Sequence, residues 1–126
     1  MIVGVGARAG VAPDEVLGLV RAVLDEAGAG AGDVVALVTV DVKGQEPGIV
    51  AAAGALGVPL VTYDAGTLAA VPVPHPSEGA RGAVGTPSVA EAAALVGGGE
   101  LLVPKRISTG AGGGAGRVTC AVARAG

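Results

Sequence analysis

Short apolar runs alternate along this chain with longer stretches in which apolar residues recur at a spacing of three and four. The short runs predict strands buried on both faces, because such strands are apolar at nearly every position. They lie at residues 2–5, 34–40, 60–63, 100–103 and 118–123. Strands that alternate with helices imply a largely parallel sheet with helices on both faces. The pattern therefore predicts an α/β fold with a mixed, mostly parallel sheet of about five strands.

The segments between these runs contain residues that are typical of helices. Pro13, Asp14 and Glu15 supply the proline and the negative charges that a first helical turn favours, and Gly28 is expected to end that helix. Further helical segments are predicted at residues 47–56, 64–70, 77–84 and 88–95. The fourth strand is expected to stop at Pro104, and a glycine loop at 110–116 predicts that the last strand runs antiparallel.

The composition limits both the core and the classes of partner. Of the 126 residues, 51% are hydrophobic but only 1% aromatic, so Val, Leu, Ile and Ala must build the core. The formal charge of −3, without a basic cluster, argues against a nucleic-acid binder. The single Cys120 excludes an internal disulfide. The longest uncharged apolar stretch, at residues 47–63, is interrupted by glycine and proline and falls short of the roughly 20 residues that span a bilayer. We expect one cytoplasmic domain over residues 1–126, with neither nucleic acid nor membrane as a partner.

A single carboxylate interrupts the alanine-rich helix predicted after Gly85. Glu91 lies three residues after Ser88, and this spacing is typical of a capping box, in which the two side chains satisfy backbone N–H groups at the helix start. The alternative interpretation is functional. The partial positive charge at the helix start would then attract an anionic ligand, and Glu91 would orient that ligand or accept a proton.

Charged side chains follow three of the predicted strands. In parallel sheets, ligands bind beyond the carboxyl ends of the strands, where loop side chains converge. The charged residues at these ends are Arg8, Asp41, Lys43, Glu46, Lys105 and Arg106. They predict a binding site at one edge of the sheet, although each residue could also be an ordinary solvated loop charge.

Gly4, Gly6 and Ala9 fit the loose dinucleotide pattern G-x-G-x-x-G/A, and Asp41 lies where a ribose-binding acid would. However, the helix is expected to begin only at Pro13, too late for a pyrophosphate to rest on its N-terminus. Nucleotide binding is therefore the weaker alternative.

The sequence offers few candidate residues for a metal site, a cofactor site or a catalytic triad. His75, between two prolines, is the only histidine, and a single His with a single Cys does not make a structural zinc site. Cys120 lies in an apolar run, where a free thiol behaves as a small hydrophobe. We expect neither a metal nor a cofactor, and any hydrolysis would depend on carboxylates and lysine.

Taken together in chain order, several segments resemble the CobE / CbiG C-terminal domain family of cobalamin biosynthesis. The segments that carry the resemblance are residues 4–8, 39–43 with 46–48, 73–78, 84–95, 101–105 and 118–124. The resemblance implies a three-layer α/β/α sandwich on a mixed sheet, in agreement with the strand and helix pattern.

The family also implies a function. Its longer CbiG members open the lactone of cobalt-precorrin 5A, whereas this chain resembles only their C-terminal domain and the stand-alone CobE proteins. The expected function is therefore to act on or bind a precorrin or cobalt-precorrin intermediate, with other cobalamin-biosynthesis enzymes as further candidate partners. A hydrolase, a non-catalytic corrinoid carrier and a small nucleotide-binding domain remain as alternatives.

The resemblance implies roles for the charged residues in such a site. Corrinoid intermediates carry many carboxylates, so the implied ligand contacts are Arg8, Lys43, Lys105 and the helix start at Ser88. The implied groups for proton transfer, or for orienting those cations, are Asp41, Glu46 and Glu91.

Overall fold

The computed structural model describes residues 1–7, 10–41, 46–71, 89–108 and 118–124. Within these ranges five strands and four α-helices follow one another along the chain. They are β1 Ile2–Ala7, α1 Pro13–Glu26, β2 Ala36–Val40, α2 Pro47–Leu56, β3 Leu60–Tyr63, α3 Ala65–Ala69, α4 Val89–Leu95, β4 Glu100–Ile107 and β5 Val118–Arg124. The helical segment predicted at 77–84 lies outside the described residues.

The strands form one mixed sheet in the order β3-β2-β1-β5-β4. β1 pairs with β2, and β2 with β3, in parallel. β5 lies between β1 and β4 and is antiparallel to both, which confirms the predicted direction of the last strand. Two antiparallel pairings in succession give β4 the same direction as β1. The predicted fold class, α/β on a mixed five-stranded sheet, is confirmed.

Helices cover both faces of the sheet. α1 and α2 pack against each other and, with Val3, Val5 and Leu37, enclose the larger apolar cluster. α4 contacts β1, β2, β4 and β5 on the opposite face, where smaller clusters contain Val38 and Ala121. Alternate strand residues thus face different helical layers, as the three-layer prediction requires.

α4 lies unusually close to β1. A Cβ added at Gly4 would lie 2.0 Å from the carbonyl oxygen of Ala90 and 2.6 Å from the amide nitrogen of Ala94. Ala90 and Ala94 of this helix pack on Ala121 and Ala123 of β5. Small residues on both sides therefore replace the aromatic side chains that the core lacks.

Local signals placed several element boundaries correctly. α2 begins at Pro47 and ends at Gly57, whose positive φ of 71° closes the helix as a left-handed cap. The Asp64 side chain caps α3 by accepting the Thr67 N–H at 3.3 Å. A hydrogen bond from the Thr67 hydroxyl, and to a smaller extent this backbone bond, hold the pKa of Asp64 below its ordinary value.

The fourth strand differs from its prediction, because β4 continues through Pro104 to Ile107. β4 is an edge strand, and its register against β5 shifts between Val103 and Arg106. A proline at a bulge in an edge strand removes no ladder hydrogen bond, so it does not end the strand. None of the helices in the described ranges is long and apolar enough to cross a membrane.

Candidate functional site

The strands β1, β2, β3 and β4 all point toward the same edge of the sheet, which we call the carboxyl edge. Their last residues are Ala7, Val40, Tyr63 and Ile107. The parallel pairing of β1 to β3 and the direction of β4 produce this arrangement. The ends of these four strands therefore lie along one edge of the sheet, as the sequence predicted.

The site residues predicted from sequence divide into two groups. Asp41, Glu46, Glu91 and Lys105 lie in the part of the chain that the structure describes, whereas Arg8, Lys43 and Ser88 lie outside it. Asp41 directly follows β2 and is exposed at the carboxyl edge. It thus presents a carboxylate to any ligand that binds there.

The Glu46 side chain contacts the backbone between β1 and α1. Its two carboxylate oxygens lie 3.2 and 3.3 Å from the Gly10 nitrogen, whose N–H donates to them. Close by, Gly48 lies against the same connection, since a Cβ there would be 2.4 Å from the Val11 carbonyl oxygen. The first turn of α2 therefore holds the loop that leaves β1.

A buried hydroxyl links the carboxyl-end halves of β1 and β2. The Thr39 Oγ1 donates to the Val5 carbonyl oxygen at 2.7 Å, and Thr39 is fully buried. The registered backbone pairing of the two strands reaches only as far as Gly4 with Val38. Thr39 has no role predicted from the sequence, although its hydroxyl in an otherwise apolar run was the signal that could have found it.

Glu91 and Lys105 are in contact, through the side chain of Glu91 and the backbone of Lys105. Glu91 lies in the first turn of α4 and is fully buried, and its Oε2 accepts the backbone N–H of Lys105 at 2.9 Å. Lys105 is half-buried and lies where the β4 register shifts. The Ser88 half of the predicted capping box lies outside the described residues, so the box stays a prediction.

A groove of about 520 Å³ separates α1 from the end of β4. Its lining residues are Asp14, Glu15, Gly18, Leu19, Ala22, Val23, Glu26, Arg106, Ile107 and Ser108. The Arg106 Nε lies 3.0 Å from a Glu26 carboxylate oxygen, and the Ser108 hydroxyl donates to Glu15 at 2.5 Å. The Glu26 carboxylate raises the pKa of Arg106 above its ordinary value. Arg106, which sequence placed among the strand-end charges, is thus tied to α1.

The glycines of the dinucleotide pattern have packing roles. Gly4 and Gly6 both lie within β1, where α4 covers Gly4 and a Cβ at Gly6 would meet the Thr119 Oγ1 at 2.7 Å. α1 begins at Pro13, as predicted, and Ala12 before it offers no side-chain cap. Close packing therefore explains these glycines without a phosphate.

Cys120 is fully buried in β5, and burial raises the pKa of its thiol. This environment agrees with its predicted role as a small hydrophobe. Across the described ranges, no group of three or more His, Cys, Asp or Glu side chains is placed to hold a metal ion.

Known proteins are similar to this chain in sequence and in fold. The family model described as "Cobalamin synthesis G C-terminus" matches residues 1–123. Protein CobE from Sinorhizobium sp is 37% identical over 113 residues, which cover 86% of this chain and 73% of that protein.

Two crystal structures are similar as well. One is CobE, described as a protein from the cobalamin (vitamin B12) biosynthetic pathway, with a TM-score of 0.79 and 30% identity; the match covers 95% of this chain and 89% of that one. The other is cobalamin biosynthesis protein chiG from Agrobacterium tumefaciens str. C58, with a TM-score of 0.66 and 28% identity. This match covers 98% of this chain and 97% of that one.

Proposed function

The chain belongs to the cobalamin synthesis G C-terminus family, and on that premise we propose that it binds a carboxylate-rich, precorrin-type tetrapyrrole at its carboxyl edge. The observation that carries the proposal is the family match over residues 1–123, supported by a solved relative from the cobalamin pathway. The arrangement of the sheet supports the carboxyl edge as the binding site, because ligands of such sheets bind beyond the carboxyl ends of the strands.

Cationic side chains would recognise the carboxylates of this ligand. Lys105 is the proposed contact on β4, where its backbone is held by Glu91. Arg8 and Lys43 remain proposed contacts because they follow β1 and β2 in the sequence, and Ser88 because it precedes α4. Arginine binds a carboxylate with two parallel hydrogen bonds, whereas lysine acts as a compact charge.

The macrocycle itself would lie on aliphatic and glycine surface. Tyr63 is the only aromatic residue of the chain, and it packs with the apolar cluster that contains Val40 and Leu68. Contacts with the ring would therefore come from dispersion and apolar burial, and the charged periphery would supply most of the specificity.

Lactone hydrolysis is the second candidate function, and Asp41 is the observation that favours it. Both Glu46 and Glu91 accept backbone N–H groups, whereas Asp41 is exposed at the carboxyl edge. Asp41 would take a proton from a water molecule as the water oxygen attacks the lactone carbonyl. The ring oxygen would leave as an alkoxide and be protonated to a hydroxyl.

The experiment that separates these functions is a titration with a carboxylate-rich corrinoid, hydrogenobyrinic acid, followed by its visible absorption and by the mass of the recovered ligand. A carrier gives saturable binding and an unchanged mass, and Lys105→Ala weakens the affinity. Arg124→Ala is the matched control, because Arg124 is an exposed cation paired with Glu100 at the opposite edge.

A changed mass would instead identify an enzyme. Asp41→Asn should then abolish turnover while leaving binding intact. If the unmodified chain shows no saturable binding at all, the proposed function is wrong.

A further inference from the structure

The first turn of α4 places a fully buried carboxylate against an edge strand. The Glu91 Oε2 accepts the Lys105 N–H at 2.9 Å, although the two residues belong to different layers of the fold. Burying a carboxylate is costly unless strong hydrogen bonds compensate for the lost water. A neutral side chain would fill the same space at lower cost, so the contact calls for a specific explanation.

The local geometry of β4 explains why this N–H needs a partner. Val103 pairs with Val122 and Arg106 pairs with Cys120, so Pro104 and Lys105 together oppose the single residue Ala121. Proline has no N–H, and Lys105 has no register partner on β5. At such a bulge the strand bends and can redirect a side chain. Glu91 thus anchors the backbone at the point where Lys105 leaves it.

The Glu91 end of this contact is itself well fixed. α4 lies directly on Gly4, where a Cβ would be 2.0 Å from the Ala90 carbonyl oxygen. Ala90 and Ala94 are buried against Ala121 and Ala123 of β5. The backbone that carries the Glu91 side chain is therefore fixed against β1 and β5.

We propose that Glu91 is a positioning residue that holds the β4 bulge and so directs the Lys105 ammonium toward a carboxylate of the ligand at the carboxyl edge. This inference rests on the proposed function and assigns Glu91 a task other than proton transfer. The task needs a hydrogen-bond acceptor at the right distance and does not need a negative charge.

Substitutions at Glu91 separate distance from charge. Glu91→Gln keeps an acceptor at the same reach and loses the charge, whereas Glu91→Asp keeps the charge and shortens the side chain by one methylene. We expect Glu91→Gln to bind hydrogenobyrinic acid within about twofold of the unmodified chain. Glu91→Asp should weaken binding by about tenfold. This is the size of one charge-assisted hydrogen bond, here the one between the Lys105 ammonium and a ligand carboxylate.

A double-substitution cycle tests whether Glu91 acts through Lys105. The Glu91→Asp, Lys105→Ala pair should bind no more weakly than Lys105→Ala alone. Glu100→Ala is the control, since Glu100 is an exposed carboxylate at the far end of β4 and its loss should leave the affinity unchanged. Thermal unfolding of each variant identifies any that does not fold.

Amide hydrogen exchange at Lys105 provides a measurement without ligand. Its rate should rise in Glu91→Asp and remain slow in Glu91→Gln. The inference would be overturned if the affinity losses in the cycle were additive. It would also be overturned if Glu91→Asp bound normally while Glu91→Gln bound weakly. If the unmodified chain binds no corrinoid, the proposed function fails, and unchanged Lys105 exchange in Glu91→Asp would show separately that Glu91 does not anchor the bulge.

Discussion

Gly4→Ala provides the sharpest test of how α4 packs on the sheet. The added methyl group would lie 2.0 Å from the Ala90 carbonyl oxygen, 2.6 Å from the Ala94 nitrogen and 3.0 Å from the Ala90 carbonyl carbon. All three neighbours are helix backbone, which no rotamer change can move. α4 must therefore retreat by roughly 1 Å or more to reach an ordinary van der Waals separation.

The loss in the free energy of unfolding that this shift causes can be predicted. Overpacking a core by one methyl group costs about 1–3 kcal/mol, and contact with backbone places Gly4→Ala at the upper end, at about 3 kcal/mol. The total stability of a domain is about 5–15 kcal/mol, so the loss is a large fraction of it. We expect a fall of roughly 10 °C in the unfolding temperature.

Urea unfolding followed by far-UV circular dichroism measures this loss. The matched control is Gly18→Ala in the middle of α1, where an added Cβ meets nothing within 4 Å. That substitution should stabilise the chain by about 0.5–1 kcal/mol, because alanine is the better helix former. If Gly4→Ala leaves the free energy of unfolding unchanged, or raises it as the control does, α4 does not lie on β1 as described.

Two further predictions concern single side chains. Thr39→Val should destabilise the fold by about 1–2 kcal/mol because it leaves the buried Val5 carbonyl oxygen without its donor, whereas Thr39→Ser should retain most of the stability in the same urea assay. The folded-state pKa of Asp64 is lowered, so its stabilising effect is present above its ordinary value of 3.8 and is lost as the pH falls through the folded value. Urea unfolding between pH 6 and pH 2 should accordingly show a smaller acid dependence for Asp64→Asn than for the unmodified chain, and equal dependences would contradict this reasoning.

The small side chains of this chain have a consequence for binding as well as for stability. α4 approaches β1 and β5 closely because glycine and alanine occupy the contact. This close approach brings the first turn of the helix within reach of the edge strand, so that Glu91 can contact Lys105. Packing and the proposed placement of the Lys105 ammonium therefore depend on the same small residues.

Local signals in the sequence determined most of the secondary structure. Pro47 and Gly57 bounded α2, and Asp64 marked the start of α3, because caps and φ preferences act within a few residues. The alternation of apolar runs with helix patterns predicted the mixed sheet. The order of several weak motifs was enough to indicate the family, which the family match over residues 1–123 confirms.

Only the tertiary structure decided what the individual charges contact. Glu46 holds Gly10 across 36 positions of sequence, and Glu91 holds Lys105 across 14. Such pairs depend on strand order, register and the position of a bulge, and no local pattern encodes these. For the same physical reason β4 runs through Pro104, since a proline ends a strand only where its missing N–H would have had a partner.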